Sequence, residues 1–251
     1  METLACIKRV PDTGAKIVLT DDRMDIDTSS LGFTMSPHEE CGVEEAIQLV
    51  EDYGGEAHAM TLGPSAADEQ LRTAVAMGCD DATLLEAEGE WAPTAVADAL
   101  AAAIEDADAD FDLLIFGNES ADQQNYQVGI RVAEKLGLPC VTSIKEIEVE
   151  DDTLIAEREI PGGAEKYEVD LPAVVTVKEG LNEPRYPSMR AKMQARKTEI
   201  ATVEPEGDGT GGLRKVELET PETDDSPAEV LGESADASPD VVEVLDDLEV
   251  I

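Results

Sequence analysis

Hydrophobic positions in the first 140 residues switch between two rhythms. Short apolar runs suited to buried strands occur at "TLACIKRV" (3–10), "EAHAMTLGP" (56–64), "DATLLEA" (81–87), "FDLLIFGNES" (111–120) and "LPCVTSI" (138–144). Between them lie longer segments whose apolar residues recur at three and four positions, the period of one helix face. The first, "SPHEECGVEEAIQLVEDYGG", carries both end signals. Ser36 is the N-cap, Pro37 opens the first turn, Glu39 completes a capping box and Gly54 stops the helix. Val43, Ala46, Ile47 and Val50 form its apolar face. Further helices are predicted from Ser65 to about Met77, over "APTAVADALAAAIEDA" and over "NYQVGIRVAEKLG". Strands separated by helices of this length predict an α/β fold, a parallel sheet with helices on both faces.

The rhythm changes after residue 140. "TSIKEIEVEDDTLIAEREIPGGAEKYEVDLPAVVTV" holds strand-like runs joined by turn signals at "EDD" and "PGG", which predicts a small antiparallel extension. Residues 203–238 are polar and acidic, with little to bury, and read as a flexible linker. The chain ends in "DVVEVLDDLEVI", too short to be a stable helix by itself, so 239–251 reads as an extended arm that docks on something. The organisation expected is a domain over 1–202, a linker over 203–238 and a docking segment over 239–251.

Charge changes this picture. The chain has 58 acidic residues against 18 Lys and Arg, a formal charge of −40. That excludes general nucleic-acid binding, which needs a basic surface. Because the acids are interleaved with periodic apolar residues, they read as the coat of a folded, halophile-type protein and not as disorder. There is no run of eighteen apolar residues and no signal-peptide core at "METLACIKRV", so the expectation is a cytoplasmic protein without direct membrane insertion. Cys6, Cys41, Cys79 and Cys140 are scattered with no C-x-x-C pair, and read as small buried thiols; with His38 and His58 the only histidines, no metal site is expected.

Candidate chemistry is sparse. Gly207, Gly209 and Gly212 satisfy G-x-G-x-x-G, but they lie in the acidic linker with no helix following, so they read as a decoy. In open parallel sheets, ligands bind beyond the carboxyl ends of the strands. Three such ends stand out, "CIKRVPDTG", "TLGPS" and "FGNESADQQNYQVG". The last runs from a strand into a helix N-terminus, where backbone N–H groups with Ser120, Asn125 and Gln127 would suit a phosphate. Its bland reading is an ordinary polar loop. Asp122 caps the turn or contacts a ribose; His38 touches a ligand or is merely a polar group at a helix start. No nucleophile–base pair and no catalytic residue is evident.

"EREIPGGAEKYEVDLPAVVTV" followed by "LNEPRYPSMRAKMQARKTEI" closely resembles the signature region of the electron transfer flavoprotein beta subunit. "KRVPD", "SPHEECGVEEAI", "RTAVAMGCD" and "GNESADQQNYQVG" match in order and spacing, so the resemblance covers roughly residues 1–200. It implies a Rossmann-like fold and a heterodimer with an alpha subunit, on which a FAD is shared, with an AMP buried in this chain. It implies electron transfer from dehydrogenases to a quinone oxidoreductase, with no enzyme chemistry of the chain's own. The implied AMP site is Cys6, Ser36, Pro37, His38, Glu39, Leu62 and the loop Gly117, Asn118, Glu119, Ser120, Ala121, Asp122, Gln123, Gln124, Asn125, Tyr126, Gln127 and Val128, while Thr13 sits where members approach the flavin.

The resemblance also assigns "LNEPRYPSMRAKMQARK" (181–197), with five of the eighteen bases, to a recognition loop with Met189 at its tip. A flexible Met fills different pockets, and Arg185, Arg190 and Lys192 would steer acidic partners. Three features depart from the family pattern. "VPDT" is similar to a branch that binds a second FAD in place of AMP and bifurcates electrons from NADH, yet "DQQNYQVGI" fits neither branch, and Pro161 stands where an acid is usual. A stand-alone nucleotide-binding regulatory module is the reading that uses no resemblance.

Overall fold

The computed structural model describes residues 1–12, 14–213, 215–221 and 230–251. Its contacts divide the chain into two units, Met1–Val216 and Glu217–Ile251. In chain order the first unit contains β1 (Glu2–Cys6), β2 (Val10–Pro11), β3 (Phe33–Thr34), α1 (Pro37–Tyr53), β4 (Glu56–Gly63), α2 (Asp68–Met77), β5 (Asp81–Glu86), α3 (Pro93–Glu105) and β6 (Leu113–Gly117). It continues with α4 (Val128–Leu136), β7 (Cys140–Ile144), β8 (Glu146–Glu150), β9 (Thr153–Ile160), β10 (Gly163–Asp170), β11 (Ala173–Val177), α5 (Met189–Ala195) and β12 (Ala201–Val203).

Seven strands form one parallel sheet in the order β12-β5-β4-β1-β6-β11-β7, and β8–β10 form a separate antiparallel sheet. The α/β expectation is met, and the alternation of side chains shows why. Ala5, Leu113, Ile115, Val175 and Val177 point to one face, against Val43, Ala46 and Ile47 of α1 and Leu71 and Ala74 of α2. Leu4, Cys6, Leu114, Phe116 and Val174 point to the other, against Ala97, Leu100 and Ile104 of α3 and Val132 of α4. Both faces are covered, so the central strands are apolar throughout; each fully buried Leu or Ile contributes about 1.5–3 kcal/mol.

One strand lies elsewhere than its neighbours in sequence implied. "AVVTV" reads as part of the antiparallel extension, but as β11 it returns to the parallel sheet between β6 and β7. All five of its residues are buried, which only a central strand allows. The edge strand β12 pairs with β5. Residues just beyond it, expected to begin the linker, lie in the first unit: Ala92 N–H donates to Gly209 O at 2.9 Å. Among the described residues no helix opens from the glycines at 207, 209 and 212.

The second unit carries α6 (Ser238–Asp247), in which no residue is buried and Val241, Val242 and Val244 are exposed. Among the described residues no helix is long and apolar enough to cross a membrane.

Candidate functional site

The order of strands locates the crevice. From β1 the chain adds β4 and β5 on one side, then places β6 on the other. Connections leave the ends of β1 and β6 in opposite directions, which makes this the switch point where open sheets bind ligands. Three segments line it: the end of β1 at Cys6–Lys8, the start of α1 at Ser36–Glu39, and the loop from Gly117 to Val128. They are tightly opposed, since a Cβ on Gly117 would lie 2.8 Å from Glu39 Cγ and 3.3 Å from His38 Cβ.

Local sequence builds each wall. Ser36 is extended (φ −74°, ψ 155°) ahead of Pro37, and its N–H donates to Glu39 Oε2 at 3.1 Å, fixing the entering chain to the first turn of α1. Gln124 and Tyr126 hold positive φ angles of 50° and 55°, a costly conformation for residues with a Cβ. Asn118 faces inward: its Oδ1 accepts from Thr176 Oγ1 at 2.8 Å and Ser143 Oγ at 3.0 Å. It anchors the loop root, so its side-chain oxygen is not available to a ligand. Lys8 Nζ closes the mouth, 2.7 Å from Asp122 and 3.1 Å from Gln123 Oε1, while Gln123 Nε2 donates to Glu90 at 2.8 Å.

The remaining expected residues divide in two. Leu62 and Val128 are half-buried and pack against the α3/α4 core. Cys6 is buried there as well, its thiol pushed up by burial and then by Glu39, which makes it an inert wall. Ala121 is half-buried, Asn125 donates to Gln123 Oε1 at 3.3 Å, and Gln127 accepts from Arg131 at 2.9 Å. Thr13 lies outside the described residues.

Buried polar atoms show what the crevice is suited to hold. Ser36 Oγ, His38 Nδ1 and Glu119 Oε2 are buried without a hydrogen-bond partner. Such atoms are costly unless something satisfies them. Burial lowers the His38 pKa, so its ring is a neutral donor–acceptor at pH 7. Burial pushes the Glu39 carboxyl up to about 7, against the Ser36 N–H bond that favours its ionised form. Burial also raises Asp122, but Lys8 outweighs it and the net shift is downward. A Gly-walled cleft with unsatisfied hydroxyl, imidazole and carboxyl groups beside the start of α4 fits a neutral heterocycle carrying hydroxyls and a phosphate.

A second feature lies in residues 181–197. Arg185 is clamped to α1: its Nε is 2.9 Å from Glu44 Oε2 and its Nη1 is 2.7 Å from Glu51 Oε1. Asn182 Nδ2 adds 2.8 Å to Glu45 and 3.1 Å to Cys41 O. Arg72 on α2 holds the other end, donating to Ala195 O and Thr198 O at 2.6 and 3.0 Å. Between these anchors Ser188 caps α5, accepting from Ala191 N–H at 3.2 Å. Met189 is 75% exposed at its start, beside exposed Tyr186 and Met193. Lys192 Nζ lies 3.0 Å from Tyr186 Oη and over its ring, and Arg190 is exposed. The charge of Arg185 is thus spent inside the chain, leaving Arg190 and Lys192 facing outward.

Reading along the chain missed Lys8, Arg72 and Glu44. Lys8 carried a signal, a base directly after a strand end at the crevice; Arg72 and Glu44 find partners more than a hundred residues away. The electron transfer flavoprotein domain family matches residues 24–207. The beta subunit of electron transfer flavoprotein from Bacillus subtilis is 35% identical across 98% of this chain and 97% of its own length. That of Dictyostelium discoideum is 32% identical across 88% of this chain, and that of Syntrophomonas wolfei 38% across 80%. The fold, the crevice at β1 and β6 and these similarities agree: the chain belongs to the electron transfer flavoprotein family, on its beta-subunit branch.

Proposed function

We propose that this chain works in the cytoplasm as one half of a heterodimer, walling one side of a FAD shared with an alpha subunit. It holds an AMP in the β1/β6 crevice, with His38, Ser36 and Glu119 meeting its polar atoms and the α4 N-terminus its phosphate. The FAD supplies the redox chemistry, accepting electrons from dehydrogenases and delivering them to a quinone oxidoreductase. This chain's residues orient, exclude water and dock. The observation that carries the reading is the crevice itself, where three buried polar atoms lack partners next to a glycine that permits close approach.

The exposed Met189, flanked by Arg190 and Lys192, is the docking tip for dehydrogenases, and 239–251 is the arm that binds the alpha subunit. The anionic coat fits a halophile-type protein. Co-purification with the alpha chain, followed by denaturation and identification of the released nucleotides, tests the reading. One FAD and one AMP per pair are expected. Two FAD with NADH oxidation would instead establish the bifurcating role that "VPDT" is similar to, and a colourless pair without adenylate would end the proposal.

A further inference from the structure

The opposite, amino-terminal edge of the main sheet carries a polar cluster that the nucleotide crevice does not use. Because the sheet is parallel, β1, β4 and β5 all begin there, with Glu2 in register with Glu56 and His58 with Asp81. His58 is only 8% exposed, and its ring meets Phe111 edge-on at 5.2 Å. Its Nδ1 lies 2.7 Å from Asp81 Oδ1 and its Nε2 lies 3.1 Å from Glu2 Oε2. Glu2, Glu56 and His58 each offer a donor atom within 4.8 Å of the other two. The cluster borders a cavity of about 510 Å³ with Leu4, Met60 and Leu85 also in its lining.

A protonated His58 explains part of this arrangement. An imidazolium satisfies Asp81 and Glu2 but leaves Glu56 beside Glu2 with no hydrogen bond or ion pair among the described residues. Three carboxylates then face a single positive charge, and adjacent like charges on neighbouring strands are destabilising. The geometry supplies another occupant. Two donors on one Zn²⁺ at about 2.0–2.2 Å lie roughly 3–3.6 Å apart, which the separation of His58 Nε2 and Glu2 Oε2 meets. Asp81 on Nδ1 fixes the tautomer that leaves the Nε2 lone pair free, the usual support of a metal-bound histidine. One imidazole nitrogen with two carboxylates is a borderline donor set that favours Zn²⁺ over Mg²⁺ or Ca²⁺.

We propose that Glu2, Glu56 and His58 form a binding site for a divalent transition ion of the zinc class, oriented by Asp81, at the amino-terminal edge of the sheet. The ion joins β1 to β4 and stabilises the fold by mass action. A ligating imidazole must offer a lone pair at the bound nitrogen, and the Nε2 that faces Glu2 Oε2 at 3.1 Å is the one placed to do so. Asp106 and Asp108 beyond α3, and Glu204 and Glu206 beyond β12, border the same cavity and add negative potential.

Calorimetric titration of the full chain with Zn²⁺ in molar KCl tests this. One saturable site per chain is expected. Asp81→Asn should weaken it about 10–100-fold. Glu56→Gln should weaken it at least about tenfold, by loss of a ligand. The Glu56 side chain is exposed and makes no hydrogen bond or ion pair among the described residues, so its variant should keep or slightly raise the ion-free melting temperature as a like charge beside Glu2 is removed, which separates loss of the site from loss of fold. Absence of a one-to-one site, or equal affinity in the parent and Glu56→Gln, would overturn the proposal, the second result showing adventitious binding to the acidic coat.

Discussion

Gly117 and Glu39 meet where the walls of the crevice come closest, and each can be tested by one substitution. Gly117 is there for space: its φ is ordinary, but an added Cβ meets Glu39 Cγ at 2.8 Å. Gly117→Ala should cost about 1–3 kcal/mol by overpacking and lower the adenylate recovered per chain, measured by denaturant unfolding and by chromatography of released nucleotide. Glu39 is there despite its charge. Its folded value of about 7 exceeds its ordinary 4.5, so the folded state binds a proton more tightly than the unfolded one. The stability this gives is fully present below about pH 4.5 and is lost as pH rises through about 7. Glu39→Gln keeps an acceptor for the Ser36 N–H and removes the titration. Relative to the parent, the variant should gain stability across that window, reaching about 2–3 kcal/mol at pH 8. Urea unfolding at several pH values checks it, and a pH-independent difference would mean that Glu39 is not buried as described.

Elements show where sequence reasoning worked and where it stopped. α1 was legible because Ser36, Pro37 and Gly54 mark its ends locally, and it runs from Pro37 to Tyr53. β11 was not assigned to its place, since "AVVTV" states burial but not which sheet supplies it, and pairing with β6 is decided by contacts some sixty residues apart. The crevice was legible as strand ends; its closure by Lys8 was not, because the partners Asp122 and Gln123 come from a distant loop. The segment 181–197 shows the same limit. Its charge was visible, but Arg185 proves to be an anchor, bonded to a Glu44 side chain only 3% exposed. Burial raises Glu44, and Arg185 outweighs it, so the net shift is downward and that stability is lost as pH falls below the ordinary carboxylate range. Arg185→Met should cost about 2–4 kcal/mol by leaving a buried charge unpaired, with Glu44→Gln restoring part of it in the double variant. Met189→Ala, at the exposed start of α5, should leave stability and flavin content unchanged while raising the KM for a partner dehydrogenase about fivefold or more. An unchanged KM would remove α5 from the docking surface.

The whole molecule is governed by its charge of −40. A sheet with two apolar faces supplies the cohesion, yet acids crowd its margins, and on the small antiparallel sheet Glu146 stands directly opposite Glu157. Such pairs repel, and the repulsion depends on ionic strength: the Debye length falls from about 10 Å at 0.1 M salt to about 3 Å at 1 M. Few internal cations oppose it, and the Lys8, Arg158 and Arg185 pairs engage only a handful of carboxylates. The melting temperature should therefore climb steeply from tenth-molar to molar KCl, by ten degrees or more on the scale at which about 1 kcal/mol moves a domain of this size about 2–4 °C. Salt also strengthens apolar burial, so sucrose, which strengthens burial without screening, is the control. If charge is the cause, KCl stabilises far beyond sucrose at matched water activity, and the excess saturates once the Debye length drops below the spacing of neighbouring acids. Equal effects of the two solutes would assign the stability to the core and leave the acidic coat a role in solubility alone.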